Sequence, residues 1–183
     1  MLDSILAFDR AAMLFIQDSV RGGVLDYIMI FFTTIGNTGA VWLFMGAVMA
    51  FFKKTRKAGI CVILSVALCY VVNDMIIKEL VRRPRPFLEI PELVTLVSRP
   101  GSFSFPSGHS CAGFAASYAL TKNFGRKGAP AYILAVIIAV SRPYVGVHYI
   151  SDIVVGAVVG TVGSVILNNF VFPKFEKGNG ETA

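Results

Sequence analysis

Six apolar runs, at about 24–34, 39–52, 59–77, 110–121, 129–140 and 150–172, take up half of this chain and leave its charges clustered in the short connections between them. That alternation restricts the fold more than any other feature. With 55% hydrophobic and 15% charged residues and a mean hydropathy of +0.69, the chain is too apolar for a water-soluble domain of 183 residues, and a bilayer is its expected solvent. The expectation is an all-α membrane protein. Several runs fall short of the ~20 residues that a spanning helix needs, so they must extend into the polar islands at their ends. Those islands therefore belong near a membrane surface. No linker, repeat or low-complexity stretch divides the sequence, and residues 1–183 read as one domain.

The first 22 residues read differently from the rest. Leu2, Ile5, Leu6, Phe8, Ala12, Met13, Phe15 and Ile16 alternate with Asp3, Ser4, Asp9, Arg10, Gln17 and Asp18, the pattern of an amphipathic helix lying at an interface. A first spanning helix of lower hydrophobicity is the alternative. A cleaved signal peptide is not expected, because no basic segment leads into an apolar stretch. Cys61, Cys69 and Cys111 lie in or beside apolar runs and behave as small hydrophobes, with no disulfide framework implied. A thiol nucleophile at Cys111 would want a nearby arginine, and residues 112–122 hold only Lys122.

The net charge of +6 does not indicate nucleic acid, because the cations are grouped between runs. Lys53, Lys54, Arg56 and Lys57 fill one connection, Lys122, Arg126 and Lys127 another, and Lys174 and Lys177 follow the last run. Placed on the cytoplasmic side, these groups fall after alternate crossings. The connections after Ile77 and after Val140, and the start of the 110–121 helix, then meet on the extracytoplasmic side.

Three islands on that side carry chemistry. In the first, Lys78, Arg82, Arg83 and Arg85 crowd together where Pro84 and Pro86 force the backbone out of a helix. Snorkelling cations that flank a span would look the same. The second, Phe105-Pro106-Ser107-Gly108-His109, reads as a helix start at Pro106 and Ser107, where free N–H groups receive an anion and Gly108 lets it approach. A lone capping histidine is the plainer reading. The third places His148 and Asp152 four apart at the start of the final helix, so the carboxylate can hold one ring nitrogen and free the other, while Arg142 folds back across Pro143 and Gly146 to bind the same anion. Structural His–Asp pairs are common. Yet the chain holds only two histidines, both beside such partners on one expected face, and ionisable groups near lipid are costly unless they function.

Together the islands resemble the type 2 phosphatidic acid phosphatase superfamily, whose motifs read Lys-x6-Arg-Pro, Pro-Ser-Gly-His and Ser-Arg-x5-His-x3-Asp. Here they are Lys78…Arg85-Pro86, Pro106-Ser107-Gly108-His109 and Ser141-Arg142…His148…Asp152, matched at every position over a core of residues 39–172. The resemblance implies a compact bundle of about five to six transmembrane helices and hydrolysis of a lipid phosphate or diphosphate without metal or other cofactor. By the same likeness, His148 attacks phosphorus, Asp152 orients it, and His109 protonates the leaving oxygen. Lys78, Arg85, Ser107, Gly108 and Arg142 bind the phosphate oxygens.

The expected partners are the bilayer and a lipid phosphate substrate, with no nucleic acid. The expected location is a bacterial inner membrane, with the site facing outward. Undecaprenyl diphosphate ranks first, because that site faces the side where this diphosphate is released. Phosphatidylglycerophosphate and phosphatidate follow. Asp74, four residues before Lys78, is read as its counter-ion. Segment 87–105 is either a lid or an ordinary amphipathic connection. A lipid phosphotransferase would share the phosphohistidine, whereas a transporter would need polar residues along a whole transbilayer path.

Overall fold

A computed structural model describes residues 2–171; Met1 and residues 172–183, with the expected cytoplasmic Lys174 and Lys177, lie outside the described residues. The described residues form helices and no strand. In chain order these are α1 (Leu2–Phe15), α2 (Gly23–Ile35), α3 (Ala40–Phe51), α4 (Arg56–Cys69), α5 (Lys78–Val81), α6 (Pro86–Glu89), α7 (Gly108–Phe124), α8 (Ala131–Tyr144) and α9 (Ile150–Ile166). A wide π-helical stretch, Tyr70–Ile77, joins α4 to α5 without a break, and a π turn, Leu167–Val171, prolongs α9.

Two of these helical stretches, Arg56–Glu89 and Ile150–Phe170, are long and apolar enough to cross a membrane. The runs at 24–34 and 39–52 become one bent unit, with Gly23–Ile35 and Asn37–Phe51 meeting at 49°. The backbone turns left-handed at Thr38 and Gly39 (φ 53° and 71°), just after Gly36, where an added Cβ would lie 2.6 Å from Ile138 Cγ2 and 2.8 Å from His109 Cδ2. Only glycine lets α8 and His109 pack so closely here.

Helix α9 shows how the chain meets its solvent. Gly156, Gly160 and Ser164, four apart, are buried, while Val154, Val158, Val162 and Ile166, also four apart, stay at least half exposed. Small residues pack inward and large apolar ones outward, as expected for helices surrounded by lipid. A Cβ on Gly156 would come 2.5 Å from the Ser107 carbonyl, so the small stripe of α9 lies against the start of α7. Helix α7 runs through the middle and touches α4, α8 and α9, with Ala112, Ala115, Ala116 and Ala119 all buried.

Helix α1 divides in the same way. Asp9 and Met13 are fully buried, whereas Phe8 and Phe15 are 60% and 63% exposed. Met13 packs on Ile90, Leu93 and Tyr149, which ties α1 to the segment after α6. Leu96 N–H donates to the Val145 carbonyl at 3.1 Å and Ser104 N–H to the Arg83 carbonyl at 2.9 Å. Those bonds stitch segment 90–107 over the ends of α5, α8 and α9.

Candidate active site

The three islands meet at one end of the bundle. Lys78, Arg85, Gly108, His109, Arg142 and His148, with Asp74 and Ser102, line a single cavity of about 470 Å³. Its far side, Gly39, Val66, Cys69 and Ala112, is apolar. Local sequence explains how the backbone delivers these groups. The π-helical stretch widens the helix just before Lys78, as such insertions often do at functional sites, and Asn73 Nδ2 donates to the Pro106 carbonyl at 3.2 Å. The helix ends at Val81 and Arg82 turns left-handed (φ 50°), so Pro84 and Pro86 carry Arg85 back over the cavity in extended backbone. Helix α7 starts one to two residues later than the sequence pattern suggests. Ser107 is its N-cap, and Gly108 is its first residue.

Three cations face one carboxylate across the cavity. Lys78, buried, pairs with Asp74. Arg142, 5% exposed in the last turn of α8, donates through Nη1 to the Thr33 hydroxyl of α2, and its buried Nε–H has no partner. Arg85 is spread over four acceptors: Nε to the Ser102 carbonyl (2.6 Å), Nη2 to Ser102 Oγ (3.0 Å), and Nη1 to both the Val147 carbonyl (2.8 Å) and His148 Nε2 (3.2 Å). An unpaired buried donor and an excess of positive charge are costly in isolation. An anion in the cavity offsets both.

The last of these contacts fixes the tautomer of His148. A guanidinium only donates, so Nε2 must offer its lone pair, and the ring proton sits on Nδ1, 3.3 Å from Asp152 Oδ2. That is the tautomer of a nucleophile or base, with the Nε2 lone pair held by Arg85 and the residue lining the cavity. Burial, and then the cations Arg142, Arg85 and Lys78, hold the imidazole pKa well below its usual value, so the ring is neutral at neutral pH.

The i,i+4 pairing of His148 with Asp152 arises differently from the sequence expectation. Helix α9 begins at Ile150, and His148 lies in the connection before it. Asp152 Oδ2 caps that start by accepting from Tyr149 N–H (2.9 Å), and it also accepts from Ser104 Oγ (2.5 Å). The remaining oxygen, Oδ1, accepts from Arg83 Nη1 at 2.7 Å.

On the opposite wall, His109 Nε2 lies 3.1 Å from the Thr33 carbonyl and 3.2 Å from Asn37 Oδ1, so it carries the proton and Nδ1 has the lone pair. Ser107 does not line the cavity. Its hydroxyl accepts from Ser110 N–H at 3.5 Å and its N–H donates to the Asp152 carbonyl at 3.0 Å, a capping and fastening position behind the cavity. Asp152 likewise sits behind His148 and outside the lining, while Gly108 lies against Asp74.

A family profile for the PAP2 superfamily matches residues 58–176, about two thirds of the chain. The chain belongs to the PAP2 superfamily. It is 30% identical over 138 residues, 75% of its length, to a Sulfolobus acidocaldarius undecaprenyl-diphosphatase, but the match covers just under two thirds (66%) of that relative. It is also 30% identical over 178 residues to phosphatidylglycerophosphatase B of Bacillus subtilis, covering 90% of this chain and 81% of that one. The crystal structure of a transmembrane PAP2 type phosphatidylglycerolphosphate phosphatase from Bacillus subtilis superimposes with a TM-score of 0.73 at 27% identity. It covers 91% of this chain and 86% of that one.

Within this PAP2 chain the site also recruits residues that no motif position marks. Thr33 and Asn37 come from α2 and the bend after it, Ser102 and Ser104 from the covering segment, and Arg83 from the position just before Pro84. Ser104 carried the best sequence signal, since it precedes Pro106-Ser107-Gly108-His109 by two residues. The bend residues carried none, because their role depends on how α2 folds over α8.

Proposed function

We propose that this protein is an integral-membrane lipid phosphatase, a single domain over residues 1–183, that works through a phosphohistidine on His148. The observation that carries it is the Arg85–His148–Asp152 arrangement, in which Nε2 holds its lone pair toward Arg85 at a cavity lined by Lys78, Arg85 and Arg142. In the first step His148 Nε2 bonds to phosphorus as the bond to the leaving oxygen breaks, and His109, doubly protonated once the anionic substrate is bound, gives that oxygen its Nδ1 proton and returns to the neutral form. In the second, water attacks phosphorus, the N–P bond breaks, and His109 Nδ1 takes the water's proton, releasing inorganic phosphate. Lys78, Arg85, Arg142 and the Gly108 backbone neutralise the equatorial oxygens, the charge-stabilising role that phosphoryl transfer requires. Ser107 contributes by holding the start of α7.

The proposed topology has five crossings: the bent α2–α3 unit, α4–α5, α7, α8 and α9. Basic residues 53–57 and 122–127 then lie in the cytoplasm, and the cavity opens on the outer side of a bacterial inner membrane. Helix α1 lies in the outer interface with Phe8 and Phe15 toward lipid. The apolar side of the cavity, Val66, Cys69 and Ala112, suits the hydrocarbon of a lipid phosphate. Undecaprenyl diphosphate is the first candidate, supported by the undecaprenyl-diphosphatase relative. The longer match to phosphatidylglycerophosphatase B favours phosphatidylglycerophosphate as the second.

The test is phosphate release, in EDTA, from undecaprenyl diphosphate, phosphatidylglycerophosphate and phosphatidate by the purified chain and by His148→Ala. Release that the substitution abolishes supports the mechanism, and the order of rates assigns the lipid. Equal release by both proteins, or none from any of the three, refutes the reading.

A further inference from the structure

Asp9 lies in the first helix, far in sequence from every motif, yet it is one of the most deeply buried charges in the protein. It is fully buried and makes three bonds: it accepts from Arg83 Nη2 at 2.8 Å, from Ser151 N–H at 3.0 Å and from the Ser151 hydroxyl. Arg83 turns its other terminal nitrogen to Asp152 Oδ1 and to Ser151 Oγ, both at 2.7 Å. Its guanidinium also stacks on the Tyr149 ring, with Cζ 3.9 Å from the centroid. One arginine fork therefore spans two buried carboxylates, one from α1 and one that holds the proposed nucleophile.

This arrangement has a cost that needs an explanation. Three buried charges are expensive, and a surface helix can be anchored far more cheaply by apolar contacts such as those of Met13. The chemistry of Asp152 supplies the reason. Asp152 must stay ionised, and it must keep Oδ2 on His148 Nδ1. A lone buried carboxylate would take up a proton, whereas one bonded only to a free arginine would be drawn off the imidazole. Asp9 shares the guanidinium charge, so Arg83 grips Oδ1 without taking over the pair.

We propose that Asp9 and Arg83 are positioning residues for the His148–Asp152 pair, so that helix α1 is part of the catalytic apparatus as well as a membrane anchor. This rests on the reading of His148 as the nucleophile. The apolar face of α1, Ile5, Phe8 and Phe15, points away from the bundle, so the helix that carries Asp9 is the one whose seating depends on the bilayer.

The clamp makes a prediction about pH that a merely structural ion pair does not. The charged or titratable groups around His148 are Arg142 from α8, Arg85 ahead of α6, Lys78 from α5 with its partner Asp74, His109 from α7 and Asp152 from α9, with Arg83 and Asp9 behind Asp152. Removing the Asp9 charge leaves Arg83 wholly positive beside the pair, so protonating His148 becomes harder. Removing the Arg83 charge leaves Asp152 more negative and makes it easier. Both changes lower turnover, and they displace the acid limb of the rate profile in opposite directions.

The experiment uses the full chain in detergent with p-nitrophenyl phosphate, across pH, for wild type, Asp9→Asn, Arg83→Gln, Arg83→Lys and His148→Ala. The expected result is a loss of kcat of roughly tenfold for Asp9→Asn and up to about 100-fold for Arg83→Gln, the range seen when outer-shell partners are removed. KM should stay within about twofold, with the acid limb moved down for Asp9→Asn and up for Arg83→Gln. Arg83→Lys keeps the limb near its wild-type position but does not restore kcat, because one ammonium cannot span both carboxylates. Thermal stabilisation by orthovanadate, a phosphate mimic, should persist in Asp9→Asn and show that its cavity is intact.

Wild-type kcat and limb position in Asp9→Asn, limbs that move together, or loss of vanadate stabilisation in Asp9→Asn would each overturn the assignment. Inactive His148→Ala alongside a wild-type Asp9→Asn overturns the clamp alone. Active His148→Ala overturns the nucleophile reading, and the clamp with it.

Discussion

At one end of the bundle Lys78, Arg85 and Arg142 crowd around a cavity with one carboxylate among them, while deep between α4, α7 and α9 a second polar cluster, Ser65, Ser164 and Asn168, carries no charge at all. In the second cluster the side chains bond chiefly to one another, with Asn168 Oδ1 left without a partner. Ser65 Oγ and Ser164 Oγ are 3.0 Å apart, Asn168 Nδ2 reaches Ser65 Oγ at 3.0 Å, and Ser164 Oγ donates to the Ala115 carbonyl at 2.9 Å. In the first, charges remain in excess and Arg142 Nε has no partner. Both are polar and buried, so burial alone does not mark function. What separates them is charge: the cluster with cations in excess is the one suited to an anionic ligand, and the neutral one joins helices in lipid.

The largest break in this comparison comes from His148→Ala, which should lower turnover by about 10⁴-fold or more, since it removes the proposed nucleophile. Initial-rate assays on all three lipids check it, and the folded protein should remain. Next is Arg85→Gln, expected to cost roughly 100- to 1,000-fold in kcat, the loss typical of a removed charge-stabilising donor. A pH series gives a smaller effect. Because burial, Arg142, Arg85 and Lys78 lower the His148 pKa, its neutral form persists as pH falls, so turnover should hold its plateau through about pH 6.5, where an ordinary histidine is half protonated, and drop only below it.

Stability follows with the same sign. As pH falls through about 6.5 the unfolded chain takes up a proton that the folded His148 refuses, so the folded state loses stability in that window and keeps it above. The smallest effect belongs to the neutral cluster. Ser164→Ala should cost about 0.6 to 1.7 kcal/mol, read as a lowered thermal midpoint in detergent, with kcat unchanged within about twofold.

The sequence made the charged cluster legible because its members sit at fixed spacings inside short islands, where a cation, a histidine and a carboxylate in a membrane-like chain have few innocent explanations. Spacing also pointed to the His148–Asp152 pair. The mechanism of that pairing stayed hidden, since it depends on Asp152 capping a helix that begins after His148. Helix type in the long runs 59–77 and 150–172 was equally legible from length and composition.

The bend over 36–39 was not. Gly36-Asn37-Thr38-Gly39 reads as a loop between two runs, and only the structure shows left-handed backbone at Thr38 and Gly39 in a tight bend of 49°. Asp9 was hidden for a related reason. On an amphipathic segment a carboxylate counts as part of the wet face, and its partner Arg83 is 74 positions away. Pairings across that distance come from tertiary structure, and no local periodicity carries them.

The central claim is tested most directly by trapping the intermediate. The enzyme is mixed rapidly with a labelled lipid phosphate, quenched in alkali, digested and mapped by mass spectrometry. An alkali-stable, acid-labile phosphate on the peptide that carries His148, absent from His148→Ala, is the result this account predicts. A phosphate on another residue, or turnover by wild type with no phosphoenzyme at any quench time, would contradict it.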